Sequence, residues 1–244
     1  MKLERAEDHL ALVADLTRSL FAPSVAVAVR DPRRMPHMPD PSEARAIAGA
    51  IPQRQTEFHA GRAAAREAMV ALGLPPRPVP AGPDRAPVWP AGLVGSITHD
   101  AEACIAVLGH AADWRAIGVD LEADSPLAAD LVAEVCTPDE TDWLNTRPSA
   151  RRGLLAKLIF CAKEACYKAQ FPLTARLFGF DHLMVEIDEA KASFTARFVK
   201  PAGEFAIGQT IEGRYVHAAG VLICGVALSH ADASPDAPPD VPAG

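Results

Sequence analysis

The chain has no apolar run of membrane-spanning length, no CxxC pair, no cluster of histidine and cysteine with zinc-ligand spacing, and no excess of positive charge. Each absence removes a class of protein. A spanning helix needs about 20 predominantly apolar residues. The amino-terminal MKLERAEDHLALVADLTRSLF carries charges through its apolar positions, unlike a secretory leader, so a cytoplasmic protein is expected. Cys104, Cys136, Cys161, Cys166 and Cys224 are odd in number and without pattern, which reads as buried thiols in a reducing compartment. A formal net charge of −7 and only 6% aromatic residues argue against broad attraction to nucleic acid or anionic lipid. Any anion site must therefore be local.

What is present suits a globular core: 244 residues, 49% of them hydrophobic, enough for one large domain or two small ones. Periodicity predicts a helix over about Glu4 to Leu20, a strand over Val25 to Val29, and, after the proline-broken DPRRMPHMPDPS, a helix capped by Ser42 and reaching about Gly49. A strong Ala/Arg/Glu helix runs from Arg54 to Leu72 and stops at Gly73. The proline-rich stretch from Pro75 to Gly92 reads as an extended loop anchored by Trp89 and leading into the strands GLVGSITHD and EACIAVLG. WRAIGVDLEAD follows, then helices around Leu127 to Val135 and from Ser149 to Gln170, the latter ended by Pro172. HLMVEIDE, SFTARFVK and RYVHAAGVLICGVALS predict an antiparallel second sheet, and ADASPDAPPDVPAG a disordered tail. Ala65-Arg66-Glu67-Ala68 and Ala162-Lys163-Glu164-Ala165 echo one another in mid-helix, a hint of two similar α+β halves that chance similarity of Ala-rich helices explains equally well.

Several charged residues are open to both a plain and a functional reading. Asp120 and Glu122 in IGVDLE lie two apart, so a strand would present both carboxylates on one face and turn Val119 and Leu121 to the core. That is either a strand end meeting solvent or a hard-cation site. Glu164 and Lys168 in FCAKEACYKA have the i,i+4 spacing of an ordinary helix ion pair worth about 0.3–0.5 kcal/mol, yet Glu164 also offers a third acid. Between Arg45 and Arg85, the arginines Arg45, Arg54, Arg62, Arg66, Arg77 and Arg85 outweigh Glu57, Glu67 and Asp84, which makes either a solvated basic face or a phosphate site. His99, after Gly95-Ser96-Ile97-Thr98, is either structural or placed to meet an anion beside Thr98. Magnesium takes few protein carboxylates and bridges phosphate oxygens, so acids and cations together suit a metal–diphosphate site better than an all-protein cage.

The ordered blocks WPAGLVGSITH, IGVDLE and FCAKEACYKA resemble the three signatures of the larger, monomeric 4′-phosphopantetheinyl transferases. The upstream QRQTEFHAGRAAAREAMVALG and the later FPLT are similar to the actinobacterial and enterobactin-type branch. The likeness is close over about residues 54–179 and looser at the ends. It implies an α+β pseudo-dimer of two similar halves with the active site in the cleft between them. Residues 1–115 would form the half that contacts coenzyme A phosphates, 116–230 the half with metal and catalytic residues, and 231–244 a disordered tail. It further implies that Asp120, Glu122 and Glu164 hold Mg2+, with Mn2+ as an alternative. Arg54, Arg62, Arg85, Thr98, His99 and Lys163 would bind coenzyme A, and Glu164 and Lys168 would act in catalysis. Gln170, where some relatives carry an aromatic residue near the pantetheine arm, and Asp84, where some carry a basic one, depart from the pattern.

The implied reaction moves the phosphopantetheine arm of coenzyme A to a serine of an apo acyl- or peptidyl-carrier protein and releases 3′,5′-ADP. Glu164, or a water it positions, would accept the serine proton, and Lys168 would steady the transferred phosphate. The implied partners are coenzyme A and carrier domains serving fatty-acid, polyketide, nonribosomal-peptide or siderophore synthesis, with no nucleic acid and no membrane. Exposed arginines including Arg151 and Arg152 are expected to recruit an acidic carrier. A non-catalytic module binding coenzyme A or a carrier is disfavoured by the intact Asp120, Glu122, Glu164 and Lys168. A metal-dependent nuclease is disfavoured by the charge balance.

Overall fold

The computed structural model describes residues 2–36 and 40–232, with side chains from residue 6 onward. Eight strands divide into two antiparallel sheets. β1 (Ala26–Arg30), β2 (Leu93–His99) and β3 (Cys104–His110) form a three-stranded sheet in the order β1-β3-β2. β4 (Trp114–Ala123), β5 (Leu183–Asp188), β6 (Ser193–Phe198), β7 (Thr210–Ala218) and β8 (Val221–Ser229) form a five-stranded one in the order β4-β8-β7-β6-β5. β2 and β4 pack side by side without sharing a ladder, so the sheets meet at their edges. The expected α+β architecture of two helix-on-sheet halves is therefore present, with three strands in one half and five in the other.

The first half is built on α3 (Pro52–Ala71), whose Ala60, Ala64, Ala65 and Ala68 are buried. Their small side chains let the helix lie close to the sheet: a Cβ on Gly61 would stand 2.9 Å from Ile97 Cγ2 and 3.2 Å from Cys104 Sγ. The helix ends where expected, with Gly73 at φ 76. α1 (Lys2–Arg18) packs on β1 and touches β7 and β8. α2 is short, Pro41–Ala44, and its N-cap is Asp40, whose carboxylate accepts from Ser42 N–H; the expected Ser42 cap and the run to Gly49 are both corrected. The chain turns early because Glu43 is drawn fully inward. There it meets Arg66 Nη1 through both oxygens at 2.7 Å and accepts Val79 N–H at 2.8 Å. Val79 C=O in turn accepts Arg62 Nε at 2.7 Å, so the peptide at Val79 is gripped from both sides and the proline-rich loop is tied to α3. Trp89 anchors the loop's far end against the cluster beneath α3.

The second half is built on α6 (Ser149–Thr174), with Leu155, Leu158, Ile159, Ala162, Ala165 and Ala169 facing the sheet. Pro172 does not end this helix. Its fixed φ is helical, and the missing N–H removes one bond near an end that side chains close instead. Thr174 Oγ1 donates to Gln170 Oε1 at 2.6 Å, Gln170 Nε2 donates to Arg176 C=O at 3.1 Å, and Ala175 at φ 51 turns the chain out. α4 (Ala129–Val135) lies near its predicted place. α5 (Pro138–Asn145) was not anticipated, although Thr137-Pro138-Asp139-Glu140 is a capping box with proline at the first helical position. The run RYVHAAGVLICGVALS divides into β7 and β8 at Ala219 (φ 56) and Gly220 (φ 79), the paired left-handed residues of a tight hairpin. The expected tail lies outside the described residues from 233 onward, while His230–Asp232 form a single 3-10 turn. No helix among the described residues is long and apolar enough to cross a membrane.

Two substitutions test what seats the helices. Gly118 of β4 faces α6 so closely that a Cβ would overlap the Ala165 carbonyl oxygen, against which backbone cannot yield. Gly118→Ala is expected to lower stability by about 3 kcal/mol by forcing α6 off the strand, measured by urea unfolding. Glu43→Ala leaves the Arg66 guanidinium and Val79 N–H without their buried partner, and a loss of about 3 kcal/mol is expected in the same assay.

Candidate active site

β4 alternates cleanly. Ile117, Val119 and Leu121 enter a core with β1, β3 and β8, while Gly118, Asp120 and Glu122 face α6. Asp120 is 4% exposed and its Oδ1 accepts from Lys168 Nζ of α6 at 2.6 Å and from Thr98 Oγ1 of β2 at 3.0 Å. Lys168 Nζ also reaches Thr98 Oγ1 at 3.2 Å. Three elements from both halves thus converge on one carboxylate. Burial works against the Lys168 charge, but Asp120 and then Glu164 more than offset it, and its pKa rises. Asp120 Oδ2 is buried with no hydrogen-bond partner among the described residues.

Glu122, two residues along, holds Lys157 Nζ at 2.8 Å, a partner not anticipated from the sequence. Glu164 sits one turn before Lys168 on α6. Its pKa is raised by burial; Lys168 opposes the rise, and Asp120 and Glu122 add to it. The three acids therefore share one electrostatic environment, although among the described residues no three His, Cys, Asp or Glu side chains form a ready metal cage. The donor chemistry still fits a magnesium ion. All the ligands are oxygens, one buried oxygen of Asp120 is free, and such an ion needs only one or two protein carboxylates when phosphates complete its shell.

Beside Asp120 opens a cleft of about 670 Å³. Of the residues predicted for the site, Arg54, Arg62, Arg85, Thr98, His99, Asp120, Glu122 and Lys168 line it, and Lys163 and Glu164 do not. Arg54 and His99 are hydrogen-bonded, with Glu57 Oε2 at 3.4 Å from the Arg54 guanidinium and 3.6 Å from His99 Nε2. Arg62 lies over the Phe58 ring at 4.2 Å, and burial lowers its pKa to about 10, a guanidinium held in an apolar wall and still charged at neutral pH. Arg85 projects from a tight turn at φ 69, where Asp84 accepts from Ala86 N–H at 3.0 Å. Asp84 is thus a turn residue. Arg66 does not join the cleft, being held by Glu43.

An apolar groove of about 470 Å³ continues the cleft past Arg85 and Lys168, walled by Val88, Tyr167 and Phe171. Gln170 is fully buried in the helix-end network and does not face the groove; Tyr167 and Phe171 supply the aromatic surface. Glu164 borders a separate small cavity of about 100 Å³ with Tyr167, Phe178 and Phe180. Lys163 is 2% exposed and its ammonium donates to Glu140 Oε2, Val135 C=O and Phe180 C=O. All three of its N–H bonds are used inside the protein, so the structure gives it no role in the cleft. Arg152 donates to the carbonyls of Asn145 and Arg147 at the end of α5, and Arg151 pairs with Glu189 on the surface and stays exposed.

The chain is similar to known proteins along both halves. Residues 42–109 match the model of the 4′-phosphopantetheinyl transferase N-terminal domain, and residues 116–219 that of the 4′-phosphopantetheinyl transferase superfamily. The chain is 37% identical over 200 residues to the 4′-phosphopantetheinyl transferase Npt of Nocardia iowensis, covering 78% of this chain and 89% of that protein. It is 36% identical over 197 residues to PptT of Mycobacterium tuberculosis, covering 78% and 86%. Over a shorter stretch of 132 residues it is 38% identical to enterobactin synthase component D of Salmonella typhi, covering 53% of each. With both family models matched in order and relatives aligned over most of their length, the chain belongs to the 4′-phosphopantetheinyl transferase superfamily.

Proposed function

We propose that this protein transfers the 4′-phosphopantetheine group of coenzyme A to a serine of an apo acyl- or peptidyl-carrier protein, releasing 3′,5′-ADP, with magnesium as its metal. The observation that carries the reading is Asp120, a buried carboxylate with one free oxygen, held by Lys168 and Thr98 at the edge of a cleft whose other wall carries Arg54, Arg62 and His99. Acids on one side and cations on the other suit a diphosphate bridged by a cation.

In this reading Arg54, Arg62, Arg85 and His99 bind the phosphates of coenzyme A, and the apolar groove beside Tyr167 and Phe171 takes the pantetheine arm. Asp120, Glu122 and Glu164 would hold the Mg2+, which supplies charge neutralisation on the diphosphate oxygens. The carrier serine arrives on the Glu164 side. Glu164, directly or through one water, accepts the hydroxyl proton, and the serine oxygen forms a bond to the β-phosphorus. The bond from that phosphorus to the bridging oxygen breaks, its electron pair stays on the α-phosphate of departing 3′,5′-ADP, and Lys168 stabilises the charge on the phosphoryl oxygens. Catalysis is positioning and electrostatics. The raised pKa of Glu164 suits a proton acceptor, whereas a bound cation would lower it, so the water-mediated route is retained beside the direct one.

We divide the chain at 115/116 into a phosphate-binding and a catalytic half; the boundary falls in the first residues of β4, at its register shift between Trp114 and Ala116, next to the change of sheet between His110 and Trp114 that supports it. Both halves come from one chain, which supports a monomer as the working unit. The five free, buried cysteines support a reducing, cytoplasmic setting.

The test is intact-mass spectrometry of apo carrier proteins incubated with the protein, coenzyme A and magnesium. A gain of one phosphopantetheine, lost with Glu164→Ala and without metal, is the expected result. No gain with carriers of several pathways, despite coenzyme A binding, would favour a non-catalytic binding module. Lys168→Met is expected to lower kcat about 100-fold. Arg54→Ala, remote from the reacting phosphorus, should instead raise the KM for coenzyme A about tenfold with little change in kcat.

A further inference from the structure

Glu164 must stand at a defined place, yet nothing grips its carboxylate. The groups acting on it are burial and charge alone, with no hydrogen bond among the described residues. Its position therefore depends on how α6 is seated and rotated. The residues on either side of it in the chain do the seating. Ala165, about 100° around the axis, lies flush against Gly118 of β4. Lys163, about 100° the other way, is the most deeply buried cation of the protein among the described residues, with 1% of its side chain exposed.

Lys163 and Glu140 join five pieces of chain. Lys163 Nζ donates to Glu140 Oε2 at 2.7 Å, to Val135 C=O at the end of α4 at 2.9 Å, and to Phe180 C=O before β5 at 3.0 Å. Glu140 is itself satisfied: Oε2 also accepts Thr137 N–H at the start of α5 at 2.7 Å, and Oε1 accepts Val185 N–H of β5 at 2.6 Å. The first half repeats the device. Glu43 of α2 and Arg66 of α3 are separated by 23 residues, as are Glu140 and Lys163, and Glu43 likewise accepts a later backbone N–H, that of Val79. There the residue after the cation, Glu67, is held by Arg30 of β1, whereas Glu164 has no hydrogen bond among the described residues and borders the small cavity beside Tyr167.

We propose that the Lys163–Glu140 pair is a positioning device for catalysis: it sets the rotation of α6 and thereby the place of Glu164, while taking no part in binding coenzyme A. The inference rests on the transferase reading above. It assigns to Lys163 a role different from the coenzyme A contact that its place in the third signature block implies.

The experiment measures thermal midpoint, kcat and the KM for coenzyme A of Glu140→Gln, Lys163→Met and the double variant carrying both. Glu140→Gln keeps an acceptor for Val185 N–H and is the mildest change. Lys163→Met alone leaves a buried carboxylate unpaired and is expected to be the least stable. In the double variant the charges are gone together, and the thermal midpoint should rise above that of Lys163→Met. Its kcat should nevertheless remain at least about tenfold below wild type, because α6 has lost its anchors to Val135 and Phe180, with the KM for coenzyme A within about twofold.

A folded double variant, or Glu140→Gln should the double variant not fold, with wild-type kcat would overturn the proposal and leave the pair a purely structural contact. A rise in the KM for coenzyme A matching the fall in kcat/KM would overturn it in favour of a direct coenzyme A contact. Wild-type protein assayed alongside separates the two claims: no transfer by wild type sinks the transferase reading, whereas transfer by wild type and undiminished transfer by the variants sinks only this one.

Discussion

Two acid–cation clamps, each built on a buried glutamate, Glu43 with the partly exposed Arg66 and Glu140 with the buried Lys163, underlie the architecture. In each, a glutamate on a short helix reaches across to a basic residue in the middle of the long helix of its half, and also accepts a backbone N–H from the chain that follows that helix. A buried ion pair contributes little net stability beside an apolar contact of the same size, but a broken one is costly. Its service here is specificity of position. It permits one seating of the long helix against its sheet, because any other would strand a charge. The shared separation of 23 residues makes the mid-helix echo of Ala-Arg-Glu-Ala and Ala-Lys-Glu-Ala more than a resemblance of Ala-rich helices: the same side chains perform the same task in both halves.

The halves have diverged on that common frame. In the first, the glutamate after the clamp cation is tied to β1 through Arg30, and the helix offers its arginines to the cleft. In the second, the matching glutamate is free, and Lys168 one turn on meets Asp120. The halves share an apolar core, in which Ile117, Val119 and Leu121 of β4 pack with residues of β1 and β3, and a polar link lies beside it. Thr98 of the first sheet donates to Asp120 of the second, at the point where β2 and β4 lie edge to edge. Asp120 therefore belongs at once to the fold and to the site.

Much of this was legible in the sequence. The strands of both sheets, the long α3 and α6, and the two faces of β4 follow from periodicity, since alternation in IGVDLE assigns Val119 and Leu121 to the core and Asp120 and Glu122 to the opposite side. Where the reading departed from the structure, either a local cap was passed over or a side chain acted at long range. Ser42 looked like a cap because Asp40 sits in a proline-rich stretch, and α2 looked longer because nothing local shows that Glu43 turns inward to Arg66. Pro172 looked like a stop because the local side-chain network of Gln170, Thr174 and Arg176, which closes the helix after Thr174, has no signature in residue periodicity. Lys163 is the instructive case. Motif position placed it with the coenzyme A ligands, whereas its partner Glu140 lies in α5, a helix whose capping box was present in the sequence and passed over. Lys157, the partner of Glu122, had no signal beyond its place on α6, since i,i+4 counting does not reveal a contact to a strand.

A protein with a net charge of −7 that binds a polyanion must separate its charges in space, and the fold does so by halves. The basic surplus lies on α3 and the loop after it, while Asp120 and Glu122 of β4 line the cleft across from it and Glu164 of α6 borders the small cavity outside it. Arg62 shows how firmly that wall is built: its Nε is committed to Val79 and its plane to Phe58, so the charge facing the cleft is fixed in direction before any ligand arrives. On the acidic side the opposite holds. Among the described residues Asp120 keeps an oxygen free and Glu164 is unbonded, so in the proposed reaction the groups that would respond to a cation and to an incoming serine are left uncommitted. Preorganised cations and available carboxylates are what a transfer governed by positioning requires: the ligand's charge is met by a fixed wall, and the acids are placed by the helix that carries them rather than by bonds of their own.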